Sequence, residues 1–199
     1  MALTIGYPPD ATPLDPDEAE GLIPEHIHTH GELNEWEQEN IVEAETWAFA
    51  RRRKNLLTPQ FVDGLHQRMF GRTWRWAGQH RTTEKNIGID PARIAVELKK
   101  LCEDVAAQIE QRAYPLDEIA ARFHHRLVSI HPFPNGNGRH ARTMTDLLLV
   151  SNGAPRFSWG AGDLMHEGDA RSRYITALQA AGRRNYGPLL KFARSRSGE

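Results

Sequence analysis

An all-α fold, a helical bundle carrying one small β-hairpin, is what this sequence predicts, and three observations predict it. Apolar residues recur at three- and four-residue steps, as in Ile94, Leu98, Leu101, Val105 and Ile109, and again in Ile119, Phe123, Leu127 and Ile130. Helix-start chemistry stands where those windows open, at Thr58-Pro59 and Asp90-Pro91. Glycine and proline punctuate the chain between such windows, at Pro115, Pro132, Gly136 and Gly153.

Taken in order, residues 1–30 form an irregular Pro-rich arm with Pro8, Pro9, Pro13, Pro16 and Pro24, and residues 31–199 form one domain. His26, His28 and His30 alternate without regular ligand spacing or a cysteine, so they read as surface residues, not a metal site. The pattern over 33–53 is helical, with Leu33, Trp36, Ile41, Ala44, Trp47 and Ala48 apolar and Glu35, Glu39 and Glu43 in an acidic row. Thr58-Pro59 opens a helix with Phe61, Val62, Leu65 and Met69. The aromatic run Phe70 to Gly78 anchors the core, and an amphipathic helix covers 91 to about 112. Pro115 and Asp117 begin the helix that leads to His131, and the next helix ends near Asn152-Gly153. Two further helices complete the chain, one around Tyr174 and one from Pro188.

Composition bounds the function. A chain of 199 residues with 39% hydrophobic and 26% charged residues can bury a sizeable core. Its net charge of −1 gives no field that would gather nucleic acid or an anionic membrane. Cys102 is the single cysteine, so no intrachain disulfide forms. There is no signal pattern and no run of roughly 18 apolar residues, and the expected location is cytoplasmic.

The chemistry gathers at His131-Pro132-Phe133-Pro134-Asn135-Gly136-Asn137-Gly138-Arg139-His140-Ala141-Arg142. Pro132 stops the preceding helix at His131, and Gly136 and Gly138 permit a tight turn into the next. Free N–H groups at that helix start make an anion site. Arg139 and Arg142 sit three apart in its first turn, where they oppose the helix dipole by roughly 0.3–1 kcal/mol each. An anion in the site would offset that cost, and guanidinium groups suit phosphate oxygens. His131 stands at the opposite lip, with an ordinary pKa of about 6.5 that suits a general base. The residues alone describe a phosphate site with a base beside it.

These twelve residues resemble the signature of the Fic family, His-x-Phe-x-(Asp/Glu)-Gly-Asn-(Gly/Lys)-Arg-x-x-Arg, at seven of its eight defined positions. Asn135 stands where the family has an acid. The resemblance implies a Fic-type helical bundle with a β-hairpin flap and a protein adenylyltransferase, moving AMP from ATP to a Ser, Thr or Tyr hydroxyl. His131 would take the hydroxyl proton, and Phe133 would anchor the loop. Gly136, Asn137 and Gly138 would line the anion site, Asn137 also through its side chain. Arg139 and Arg142 would hold the β- and γ-phosphates. The family acid holds Mg²⁺ (or Mn²⁺); Asn135 offers one neutral oxygen there, so the ion would be weakly held. Alternatives are another Fic-type phosphotransferase or nucleotide transferase, or a nucleotide-binding module that transfers poorly.

The resemblance implies two more features. Glu39-Asn40 looks like the second half of an inhibitory pattern, Ser/Thr-x-x-x-Glu-(Gly/Asn), with Glu35 at the Ser/Thr position. Glu39 would then pair with Arg142 in place of a phosphate. His80 to Ile89 would be the flap, with Arg81, Thr82, Thr83 and Ile87 presenting an edge to the target segment. The partners implied are a protein target with an acceptor hydroxyl, and the chain itself as target. The runs Pro13–Pro24 and Gly31–Asn40 resemble the Fic subgroup called mobile mystery protein B. Its members accompany a helix-turn-helix protein, which suggests a toxin–antitoxin-like pairing.

Overall fold

The computed structural model describes residues 14–161, 164 and 168–195. Eight α-helices are described: α1 (Pro16–Ala19), α2 (His30–Phe49), α3 (Pro59–Phe70), α4 (Ile94–Glu110), α5 (Leu116–Ile130), α6 (Asn137–Ser151), α7 (Asp169–Gly182) and α8 (Gly187–Arg194). The helix starts obey local chemistry. Thr29 caps α2 by accepting the Glu32 N–H, and Glu32 reaches back to the Thr29 N–H at 2.9 Å. This starts α2 three residues before the apolar pattern does. Thr58 caps α3, with Pro59 at the first helical position as expected. Pro91–Arg93 form a 3₁₀ turn that leads into α4.

Residues 1–13 of the arm lie outside the described residues. The remainder of the arm is not wholly irregular. Asp15 and Glu18 close a capping box around the single helical turn α1, with Pro16 at its start. The chain then runs beside the aromatic stretch, where Leu22 and Trp74 form an isolated antiparallel bridge.

The expected β-hairpin over His80–Ile89 is absent; this segment is coil and bends. Its backbone is otherwise engaged. The Arg81 N–H donates to the Pro132 carbonyl at 2.9 Å, and the Ile89 N–H to the Ile130 carbonyl at 3.4 Å. Both ends are tied to the corner after α5, so no cross-strand ladder forms between them.

Helix α5 packs on α4 and α6, α2 on α3, and α7 on α8. Leu98, Leu101, Phe123, Leu127, Met144 and Leu148 are all buried where α4, α5 and α6 meet. Each large apolar side chain so buried contributes roughly 1.5–3 kcal/mol. Cys102 is packed in the same core. This rigid α5–α6 pair carries the loop from His131 to Gly136.

Candidate functional site

His131 ends α5 in a left-handed conformation, φ 53 and ψ 61. For a non-glycine residue that geometry costs about 1 kcal/mol or more and persists only when neighbours hold it. Phe133 provides one hold. It is fully buried, and its ring stacks on His66 at 3.7 Å. Asn137 provides another, accepting from the Phe133 N–H at 3.0 Å and donating to the Phe133 carbonyl at 2.7 Å. Its amide therefore braces the loop, where a phosphate contact was expected. Gly136 takes φ +77, and a Cβ there would lie 2.6 Å from the Phe70 ring. Gly138 has no such constraint; a Cβ would meet only Arg142 Nη1 at 3.7 Å.

Helix α6 starts at Asn137, and the His140 N–H is bonded to the Gly136 carbonyl. The N–H groups of 137–139 precede that bond and have no acceptor within the helix. They form the electropositive floor of the loop.

The His131 ring is buried at 5% exposure, yet neither ring nitrogen has a hydrogen-bond partner. The Val128 carbonyl comes near it without good bonding geometry. Burial, with the Arg81 and Lys85 cations nearby, pulls its pKa down to about 4. It is therefore neutral at pH 7 and able to accept a proton. A buried polar nitrogen without a partner is uncommon and calls for an explanation.

The two arginines stand in different company. Arg139 Nη1 lies 2.7 Å from Glu37 Oε2, with its guanidinium 4.9 Å from the Phe70 ring centroid. Glu37 is 4% exposed, and its other oxygen accepts the Trp74 Nε1–H at 2.6 Å. Among the described residues no carboxylate pairs with Arg142. Its guanidinium lies 5.9 Å from the Tyr174 ring centroid, and burial lowers its pKa. Glu39 is exposed on the other side of α2 and is not brought to Arg142. The carboxylate that α2 does deliver is Glu37, two residues earlier and on the inward face.

Asn135 Oδ1 accepts the Gly136 N–H at 2.6 Å, and its carbonyl faces His66 Nε2 at 3.0 Å. No group of three or more His, Cys, Asp or Glu side chains suited to a metal occurs among the described residues. The donor set does not fit a metal held by protein alone.

Of the expected flap residues, Thr82, Thr83 and Ile87 are exposed. Thr83 is already engaged: its hydroxyl donates to Asp15 at 2.7 Å. Arg81 is not on an exposed edge. It is 3% exposed and spends its donors on backbone carbonyls.

Sequence reasoning missed three residues that shape the site. Glu37 had a signal: it interrupts the apolar ladder Leu33, Ile41, Ala44 and Ala48 at helical spacing, and a lone acid on a buried stripe needs a cation. His66 lies on the buried face of α3. The Gly78 N–H donates to its Nδ1 at 3.0 Å, so Nε2 carries the proton and donates to the Asn135 carbonyl. Burial keeps it neutral, with a pKa well below 6.5. Tyr174, beside Arg142, bonds His124 Nε2 at 2.8 Å across 50 residues. No local pattern announces that pair.

Residues 56–149 match the Fic/DOC family. Protein adenylyltransferase fic-1 of Caenorhabditis elegans is 29% identical over 135 residues, 65% of this chain and 24% of that protein. The chain spans about a quarter of the length of the curated relatives it matches. The N-terminal Fic domain of a cell filamentation protein from Bartonella quintana superposes with a TM-score of 0.71 at 18% identity, covering 89% of this chain and 91% of that one. BepC from Bartonella tribocorum, solved with bound AMPPNP, superposes at 0.64 with 20% identity, covering 90% and 97%. These superpositions establish the fold.

Proposed function

We propose that the chain, whose residues 56–149 match the Fic/DOC family, is a protein adenylyltransferase that moves AMP from ATP to a protein Ser, Thr or Tyr hydroxyl. The observation that carries this reading is His131: neutral, buried, its ring nitrogens unpaired, at the lip of a loop whose helix start presents Arg139 and Arg142. His131 accepts the hydroxyl proton as the acceptor oxygen bonds to the α-phosphorus. The bond from that phosphorus to the pyrophosphate oxygen breaks, and pyrophosphate leaves. Gly136, Gly138 and the first-turn N–H groups face the polyphosphate, with Arg139 and Arg142 on its outer phosphates. Holding the reactants and neutralising charge supplies most of the acceleration in such chemistry.

A carboxylate from α2 competes with nucleotide, and that role fits Glu37 on Arg139 better than the exposed Glu39. Asn135 gives no carboxylate to a divalent ion, so Mg²⁺ enters with ATP as part of the substrate. The same residue supports a second reading, a nucleotide-binding module with slow transfer or another Fic-type transferase. A cytoplasmic location fits the absence, among the described residues, of any helix long and apolar enough to cross a membrane. The mobile mystery protein B subgroup and a helix-turn-helix partner in a toxin–antitoxin-like pair rest on the N-terminal runs alone.

The test is incubation with ATP labelled on the α- or the γ-phosphate, with acceptor proteins and with the chain alone as target. The α-label is expected on protein and is expected to vanish in His131→Ala. Transfer of the γ-label only would replace the adenylyl reading with a phosphotransferase. ATP binding without transfer in the wild type would leave the binding module.

A further inference from the structure

Arg81 has an unusual set of partners for a buried cation. Among the described residues no carboxylate forms an ion pair with it, and Glu18, Glu84 and Asp90 act on it only at longer range. Its side chain instead donates to four backbone carbonyls. Nε reaches His131 at 2.7 Å, Nη1 reaches Thr83 at 2.7 Å, and Nη2 reaches Ile130 at 3.4 Å and Ile89. Its own N–H donates to Pro132 at 2.9 Å. Two carbonyls belong to the 82–89 segment and two to the end of α5. Those last-turn carbonyls lack acceptor-side partners within the helix and carry the negative end of its dipole.

We propose that Arg81 is a positioning residue for the base: its guanidinium locks the left-handed corner at His131 to both ends of the 82–89 segment. Resting on the reading of His131 as base, this makes base and acceptor-facing segment one mechanical unit. The planar fork is what allows it, since five donors in fixed directions can satisfy carbonyls from three directions at once. A lysine ammonium at the same place keeps the charge and loses the fork. The fit is close: a Cβ on Gly88 would lie 2.5 Å from Arg81 Nη2 and 3.0 Å from the His131 Cβ.

Charge acts from the same placement. The cations facing His131 are Arg81 and, from the 82–89 segment, Lys85, and α5 presents the Val128 carbonyl. Lys85 is itself held by Asp15 at 2.9 Å and Glu18 at 2.5 Å. Arg81 thus helps keep the base neutral as well as oriented.

The experiment compares Arg81→Gln, Arg81→Lys and Gly88→Ala with wild type. It reads the His131 ring titration by NMR, ATP affinity by calorimetry, and kcat and KM for transfer. In Arg81→Gln the His131 pKa is expected to rise above about 4 while burial still holds it below 6.5, and kcat to fall 10- to 100-fold, with ATP affinity within twofold of wild type. Arg81→Lys should hold the low pKa and still lose kcat. Gly88→Ala should lower kcat without moving the pKa, and it serves as the geometric test if Arg81→Gln does not fold. An unchanged His131 titration together with unchanged kcat in Arg81→Gln overturns the proposal. So does a loss of ATP affinity as large as the loss of kcat. The titration is readable without transfer, so a wild type that transfers nothing refutes the adenylyl reading while leaving Arg81 testable.

Discussion

Replacing Glu37 by Gln should make the protein less stable and a better nucleotide binder. Glu37 and Arg139 are 5% and 13% exposed at the side chain, with N and O 2.7 Å apart. Unit charges about 4 Å apart at an effective dielectric of about 20 attract by roughly 4 kcal/mol, and desolvation returns much of it. Removing one partner of a buried pair costs about 3–5 kcal/mol. Here the low end applies. Gln still accepts the Trp74 Nε1–H, and Arg139 keeps the Phe70 ring. A loss of about 3 kcal/mol lowers Tm by about 6–12 °C in a domain of this size. Nucleotide responds oppositely, because a polyphosphate on Arg139 must first displace the carboxylate. Coupling of about 1–3 kcal/mol makes ATP bind roughly 5- to 150-fold tighter in the variant. Calorimetry with a non-hydrolysable ATP analogue and thermal melts read both effects. Weaker nucleotide binding in Glu37→Gln would refute the reasoning and leave Glu37 a structural support. Exposed Glu39→Gln should change neither quantity, and a matching effect there would be equally damaging.

Four further outcomes are expected from the same structure. Asp146 is 9% exposed, and burial raises its pKa to about 6 while it accepts from Phe157 and Trp159. The folded state therefore holds that proton more tightly than the unfolded one, and stability falls as pH rises from about 4 to about 6. Asp146→Asn keeps an acceptor and drops the charge, so urea titration should find it about 1–3 kcal/mol more stable at pH 7.5 and near wild type at pH 4. His66, His124, His131 and His140 are buried bases with depressed pKa values, about 3 for His124 and about 4 for His131 and His140. Below pH 6.5 the unfolded chain binds protons that the fold excludes. The stability slope from these four should therefore be positive between pH 4 and 6, and His140→Gln should flatten it. The Lys85 side chain is 3% exposed and sits between Asp15 and Glu18, with the Asp15 pKa lowered by that contact. Its share of arm docking is present above the ordinary aspartate pKa and is lost as pH falls below it. Glu18→Gln should speed hydrogen exchange in residues 82–88 at pH 7, and unaltered exchange would exclude the arm as a brace. Asn135→Asp restores a carboxylate beside the loop, and the divalent-ion concentration at half-maximal transfer should drop severalfold.

What the sequence made legible was local. Thr58-Pro59, Pro132 and Gly136 act within one turn of themselves, and the helix boundaries they set were readable from the residues. The inward face of α2 was harder. The apolar pattern held Leu33, Ile41, Ala44 and Ala48, all buried, but it left out Glu37 and Asn40, which are buried with them. On the observed face Glu37 points in and Glu39 out, so a two-residue phase decides which carboxylate meets an arginine. Arg81 was unreadable for another reason. An arginine among threonines looks solvated, and only the return of the chain at Pro132 supplies the carbonyls that bury it. Tertiary partners 50 residues away leave no trace in spacing.

The two loop arginines are unequal, and the inequality orders events at the site. Arg139 is already matched by Glu37, while Arg142 has an aromatic neighbour and a lowered pKa but no paired carboxylate among the described residues. The side chains of Asn135 and Asn137 hold the loop itself, on Gly136 and Phe133. On the proposed reading, recognition of a polyphosphate falls to Arg142 and the first-turn N–H groups first, because they cost no existing ion pair. Engagement of Arg139 comes second and requires Glu37 to yield. AMP, which reaches neither arginine, should bind wild type and Glu37→Gln alike, whereas ADP and ATP, whose β-phosphate needs Arg139, should both bind Glu37→Gln more tightly. Comparing AMP, ADP and ATP affinities across those two proteins tests this, and an ADP affinity left unchanged by Glu37→Gln would show that Glu37 does not hold Arg139 away from the β-phosphate.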